Sequence, residues 1–549
     1  MNKRLSIFFS MLLVLSMFLA ACGGKNNADG GDKGGTKDTE KKSDVNQELR
    51  VNIREEPPAL HPGLATDSTS GNVLRQISEG LTRINPEGKP EEAMAEKIDV
   101  SEDLKVYTFT LRDAEWSNGD PVTAKDFETA WKWVLDPANQ SEYSEILYYI
   151  KGAEAAHSGE GSLDDVGVKS VDEKTLEVTL ENPTPYFTEL TAFYTYLPFN
   201  SKVAEANPNW AHDAGANFTS NGPFVMKEWA HNDKIVLEKN DKYWDANTVK
   251  LDKIEMYMIN DENTELSMYE NGELDWAGQP TGELPTDAMQ ALKDEGSLTT
   301  HTIAGVYKYK FNTTVAPFDN VNIRKAFALA INRQELIDNI TQGEQVPAMA
   351  LVPPTIFPES EKGYFKDNDV EKAKEYLQKG LEEMGLKDPS ELPAVTLSYN
   401  TNESHQKIAQ AIQDMWKQNL GVEVTLDNQE WKVYLDKLHT LDYQVGRLGW
   451  LADFNDAITF LELYRDANGG NNDTGWSNKE FKDLLVKSAS EADPDVRKQL
   501  LKDAEAIIMD EMPVAPIYFY TFNWVKNDKL KDVHVSDTGE VQYKWAYFE

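Results

Sequence analysis

One cysteine, Cys22, is all that the 549 residues contain. No disulfide can form within the chain, and thiol chemistry has a single possible seat. Histidine is nearly as scarce: the eight residues are scattered, with no HExxH and no closely spaced pair, which argues against a zinc hydrolase. A GxSxG elbow, a GxxxxGK[ST] loop and a GxGxxG after a strand are all missing, so serine-hydrolase, P-loop and dinucleotide chemistries lose their usual motifs. Basic residues are outnumbered, 55 Lys and Arg against 93 Asp and Glu, for a net charge of -38. Nucleic acid needs clustered Lys and Arg and is an unsuitable partner. The same charge favours solubility and attracts cations weakly, and it says nothing about fold. The stretch KDNDVEK (366–372) has a faint likeness to a calcium loop but lacks the Gly and the terminal Glu, so an acidic helix start is the expectation and no metal is assigned. Paired carboxylates for glycoside hydrolysis are not excluded, because acids are everywhere; a surface hydrolase stays as the enzyme alternative.

What is present begins with a positive start, Lys3 and Arg4, and an apolar run from Leu5 to Ala21. The pattern reads as a secretory signal, to be set aside in fold reasoning. A membrane-spanning helix is the competing reading, since the run approaches the roughly 18-residue threshold. The small residues that end it and the polar segment that follows favour the signal. Leu19-Ala20-Ala21-Cys22 resembles the lipobox of bacterial lipoproteins, in which the peptide is cut before the Cys and the thiol takes a diacylglyceryl group. Each buried methylene is worth about 0.8 kcal/mol, so two or more acyl chains anchor stably. Residues 22–47 are then a lipidated Cys and a flexible tether, too poor in apolar side chains to offset chain entropy.

The length implies two or three domains. The 13 Trp, 22 Tyr and 21 Phe exceed what a polar surface needs, and large amphipathic rings also line binding clefts. ELRVNI, VYTFTLR and KTLEVTLENP read as strands, the last two by their period-two alternation. TAKDFETAWKWVL opens with Thr123 and Asp126 at capping-box spacing and puts Ala124, Phe127, Ala130, Trp131 and Val134 on one helical face. Further strands are expected at DKIVLEKN and KIEMYMI. AVTLSYN, the amphipathic SHQKIAQAIQDMWKQNLG and VEVTLD form a βαβ unit, hence a right-handed crossover and a parallel pair. Ligands bind at the carboxyl ends of such strands, and His405 stands where the first of them turns into the helix.

EGLTRIN, WSNGDPVTAKDF, NPTPYFTEL, SNGPFVM, VLEKNDKYWD, PFDNVNIRKAFALAINR, GWLADFND and PVAPIYFY follow one another in this order. With the lipobox, the set resembles the oligopeptide-binding lipoproteins of bacterial ABC importers, most closely those of Gram-positive bacilli, from Leu49 to the C-terminus. The resemblance implies an α/β clam of the type II periplasmic-binding-protein kind, two lobes closing over a ligand plus an extra domain. Its limits would be 48–78, 209–304 and 521–549 for a discontinuous lobe I, 79–208 for domain II and 305–520 for lobe III. It also implies a lipid-anchored, non-enzymatic, monomeric receptor on the extracellular face of the cell membrane. That receptor needs no cofactor and hands oligopeptides to the permease and ATPase subunits of an ABC transporter. A same-fold receptor for nickel, haem or an oligosaccharide is the alternative; scattered His disfavour the metal.

On the same resemblance, Asp453 pairs with the peptide's α-ammonium group. The physics agrees, because a charge enclosed in a closed cleft needs a partner. Asp453 could instead cap a helix beginning near Asn455. Arg447 and His405 are the residues for the peptide carboxylate, at two distances. Trp450 walls the cleft, main-chain groups of Gly449 and Leu451 pair with the peptide backbone as in strand addition, and Trp431, Asn471, Tyr143, Tyr307 and Tyr520 fall at ligand-pocket positions. The sequence departs from the family at Ala457, where relatives carry Pro, in LRDAEW, one residue short, and at Lys308, where relatives often have an aromatic ring. A Lys308 side chain facing the cleft would favour acidic peptides; strand alternation could equally turn it outward.

Overall fold

Leu49 and Val51 in the strand Glu48–Asn52 are both fully buried, and the strand pairs in parallel with Lys253–Tyr257. The structure, a computed structural model, describes residues 45–549 apart from Pro185 and Ala492. The expected signal sequence, Cys22 and the expected tether as far as residue 44 lie outside the described residues. Lys234–Lys239 and Phe224–Ala230 complete the first sheet in antiparallel order.

A second four-stranded sheet, in spatial order Ala95–Val100, Val106–Leu111, Thr175–Thr179, Val168–Ser170, is covered by the helix Ala124–Leu135. The five residues expected on that helix's inner face are all at most 2% exposed, and the Asp126 carboxylate accepts the Thr123 N–H at 2.9 Å to fix the helix start. In the third sheet, Val395–Asn400 and Val424–Gln429 are parallel neighbours joined by the helix Glu403–Leu420, the expected βαβ unit. Asn402 caps that helix by accepting the His405 N–H at 2.8 Å, and Gly421, at φ +71°, ends it.

Two 13-residue strands hold the third sheet together. Thr299–Phe311 and Val514–Lys526 run antiparallel, pairing from Thr299 with Trp524 to Lys310 with Val514. At one end Val514–Lys526 also pairs with Trp276–Gly278; at the other Thr299–Phe311 pairs with Val445–Arg447. Register shifts occur between Thr302 and Val306 and between Tyr307 and Lys308, and such irregularities bend and twist a ribbon. The expected lobe junctions, at 304/305 and 520/521, fall inside these strands, so the lobe limits given above stand as a proposal in which this ribbon is the hinge.

The architecture is a mixed α/β clam whose lobes close over a cleft. Across it, Ser404 N donates to Glu262 Oε1 at 3.1 Å, Lys407 Nζ to Thr286 Oγ1 at 2.8 Å, Asn471 Nδ2 to Glu145 Oε1 at 2.8 Å and Tyr143 Oη to Asp453 Oδ1 at 2.8 Å.

Candidate functional site: an enclosed cleft with opposite charges

Within the segment GRLGWLADFND, residues 447–453 form one wall of a cavity of about 280 Å³. Its main chain runs beside the strand Thr299–Phe311: Leu448 N donates to Lys308 O at 3.1 Å and Ala452 N to Ala304 O at 2.8 Å, with Trp450 opposite Val306. Alternation along an extended chain then turns the N–H and C=O of Gly449 and Leu451 the other way, toward the cavity they line. This is an unpaired strand edge inside a cleft. A side chain at Gly449 would collide with the Tyr520 hydroxyl, so only glycine lets the backbone come this close.

Asp453 closes one end of this edge. Its Oδ1 accepts from Tyr143 and its Oδ2 from Thr459 Oγ1 at 3.0 Å, while its own N–H donates to Thr459 Oγ1 at 3.1 Å. Among the described residues no lysine, arginine or histidine pairs with it. Burial pushes the carboxyl up to about 7, against the two hydroxyl donors and helped by the Glu145 and Glu540 carboxylates nearby. The capping alternative is corrected by the geometry. The short helix spans Ile458–Leu461, and it is Asp456 Oδ1 that accepts the Ile458 N–H, at 3.0 Å. Arg497 grips Asp456 with Nη1 and Nη2 at 2.7 and 2.9 Å, so the turn holding Ala457 is pinned rather than loosened.

Trp450 stacks on Tyr143 at 5.9 Å between centroids with planes 7° apart, sealing the Asp453 end with rings from opposite sides of the cleft. Asn471 lines the cavity beside them and is held by Glu145 on its side chain and by Lys310 Nζ, 2.9 Å from its carbonyl. Lys310 is itself paired with Asp473 at 2.5 Å, and His439 Nδ1 is 2.8 Å from the other Asp473 oxygen. Those partners overcome burial: Asp473 falls to about 2 and His439 rises to about 10.

At the far end Arg447 Nη2 donates to Tyr520 Oη at 2.9 Å, its guanidinium lies 4.6 Å over the Tyr307 ring, and Nε is buried without a partner. Among the described residues no carboxylate forms an ion pair with it. His405 shares this end, 8% exposed, and burial together with Arg447 and Arg54 holds its imidazole far below its ordinary pKa. It therefore offers a hydrogen bond rather than a charge. Trp431 and Tyr520 also face the cavity. Tyr307 does not: it is fully buried, stacked on Tyr518 at 4.8 Å, and supports Arg447 from behind. Lys308 does not face it either. Its Nζ is buried without a hydrogen bond, 5.8 Å over the Trp450 ring, and burial with Lys310 close by drives it toward the neutral amine. Arg54, Glu55 and Glu283 line the far end and were not anticipated, because a charged residue in a polar stretch such as NIREEPP reads as surface.

The model of the bacterial extracellular solute-binding proteins, family 5 Middle, matches residues 89–472. The chain is 60% identical over 552 residues to the oligopeptide-binding protein OppA of Bacillus subtilis (strain 168), covering 100% of both chains. Its structure superposes on Haemophilus influenzae OppA in complex with RPPGFSPFR with a TM-score of 0.86 at 31% identity, covering 92% of this chain and 99% of the other. The Escherichia coli murein tripeptide-binding protein MppA gives a TM-score of 0.85 at 31% identity, covering 92% and 98%. Against an unliganded open form of the periplasmic murein tripeptide-binding protein MppA the TM-score is 0.61 at 32% identity, covering 92% and 97%, a fall that matches the closed lobes seen here. The relatives are named as binding proteins, and the chain belongs with them to the bacterial extracellular solute-binding proteins of family 5.

Proposed function

We propose that this chain is an extracytoplasmic, lipid-anchored receptor that encloses an oligopeptide in its cleft and delivers it, uncleaved, to the permease of an ABC importer. One feature carries the reading: a buried carboxylate without a cation at one end of the cleft, a buried guanidinium without a carboxylate at the other, and an unpaired strand edge between them. A zwitterionic, extended chain is complementary to that arrangement in charge and in hydrogen bonding. Asp453 takes the ammonium group, Arg447 the carboxylate, and His405 donates to the carboxylate as a neutral group. Gly449 and Leu451 pair with peptide main chain, which every sequence offers, so the grip is tolerant of side chains. The relatives named for oligopeptides and the superposition on a peptide complex support the same substrate class.

The Asp453 carboxyl gives this proposal a pH signature. Burial pushes it up to about 7, and an ammonium partner lowers that value. Below about 7 binding must therefore expel a proton. Affinity for free-amine peptides should fall as pH decreases, by up to about tenfold per unit, and fall again above about 8 as the peptide amine loses its charge. Glu145 titrates in the same range, so the comparison is with N-acetylated peptides, which keep the Glu145 effect and lack the ammonium. Calorimetric titrations of both peptide forms across this range read the difference; parallel profiles would count against Asp453.

The anchor is tested separately. Cys22→Ser removes the acyl acceptor and should move the protein from the membrane fraction to the medium in a detergent-free fractionation. Retention at the membrane would contradict the lipidation.

A further inference from the structure

Arg54 follows the strand Glu48–Asn52 with φ at +67°, a conformation L side chains seldom adopt and one that recurs at functional sites. Asn52 Oδ1 accepts its N–H at 2.9 Å and holds the turn. The side chain is 9% exposed and faces the same cavity as Arg447 and His405. A guanidinium has five N–H donors, yet this one makes a single long hydrogen bond, Nη2 to Asn260 O at 3.4 Å. Glu262 and Glu283 stand at 3.9 and 3.8 Å, beyond hydrogen-bond reach. Glu262 is already committed to Ser404 across the cleft, and Glu283 to the Gln279 amide at 3.2 Å.

Among the described residues, Arg54 Nη1, Arg447 Nε and His405 Nδ1 at this end are buried without a hydrogen-bond partner, as are the neutral Thr281 Oγ1 and Trp431 Nε1. The two charged members are guanidinium nitrogens, which can only donate, so this end of the cavity calls for an acceptor. Both guanidiniums act on the His405 imidazole, so the three groups share one electropositive end of the cavity. Glu283 and Glu55 are near, but burial pushes them up to about 8 and about 7, so neither cancels Arg54 fully at neutral pH. An extended peptide advances about 3.3 Å per residue, so one fixed guanidinium cannot meet the carboxylate of every length.

From this shared cavity and its orphaned donors we propose that Arg54 is a second carboxylate anchor, taking the peptide's C-terminus when the chain runs past Arg447. The inference rests on the peptide reading above. Its test is calorimetric titration of peptides from three to seven residues, each as free acid and C-terminal amide, into wild type, Arg54→Gln and Arg54→Lys. Arg54→Gln should leave the shortest peptides within about twofold and weaken the longer free acids by about tenfold or more, the size of a lost charge-assisted hydrogen bond. Amidating the longer peptides should hurt the wild type and add little in Arg54→Gln, while Arg54→Lys, which keeps the charge, should restore part of the loss. Equal weakening at every length, or of acid and amide alike, would overturn the assignment and leave Arg54 with a role in lobe closure through Glu262. An amidation penalty for longer peptides that persists undiminished in Arg54→Gln would overturn it too. A wild-type chain that binds none of these peptides would remove the peptide reading itself, a distinguishable outcome.

Discussion

Asp453→Asn is expected to lower affinity for free-amine peptides by about thirty- to several-thousand-fold. The substitution keeps the shape of the side chain, and its remaining oxygen can still accept from Tyr143 or Thr459, which hold the carboxylate now. What it removes is charge. A peptide ammonium would then lie in a closed cleft without a counter-ion, and truncating one member of a buried, hydrogen-bonded pair costs about 2–5 kcal/mol, with about 1.4 kcal/mol per decade. Acetylating the peptide amine should weaken wild-type binding comparably, by stranding the carboxylate instead. The two changes together should cost less than their sum, the mark of a direct pair in a double-mutant cycle. The N–H of Ile458 at the start of the helix Ile458–Leu461 is taken by Asp456, not Asp453, so the substitution leaves that cap in place. Additive penalties would mean that Asp453 and the amine do not meet.

Arg447→Gln should produce the second large effect, confined to peptides whose carboxylate ends near it. For those the loss is again about 2–5 kcal/mol, roughly thirty- to several-thousand-fold. Arg447→Lys should fall between, since an ammonium keeps the charge but loses the planar fork that lies over Tyr307 and reaches Tyr520. Amidated short peptides should bind the wild type and Arg447→Gln with nearly equal, weak affinity in the same titrations. A loss of the same size for acid and amide would show that Arg447 shapes the wall and does not bind the carboxylate.

Part of this was legible in the sequence. Asp453 and Trp450 were named through the family resemblance, because one more acid in a chain with 93 Asp and Glu carries no signal of its own. The helix Ala124–Leu135 announced itself through a 3.6-residue pattern and a cap, and the βαβ unit placed His405 at a strand end. What was not legible depends on burial and on long-range pairing. Val514–Lys526 is buried along nearly its whole length, so it shows no alternation, and only its motif PVAPIYFY drew notice. Lys308 could not be oriented by alternation because the register shifts between Tyr307 and Lys308. The neutral state of His405 is imposed by burial and then by two arginines, one of them, Arg54, far away in the chain. Arg54 itself sits among acids in a stretch that looks like ordinary surface, and only the fold turns it into a cleft.

The central claim is that the cleft holds oligopeptides and does not cut them. The most direct measurement incubates the purified protein with a defined peptide mixture, removes unbound material, releases the ligand by denaturation and weighs it by mass spectrometry. The account predicts intact peptides with free amino and carboxyl termini, recovered near one per chain, with N-acetylated and C-amidated members of the mixture depleted. Recovery of fragments, of a non-peptide solute, or of blocked and free peptides in equal amounts would contradict it.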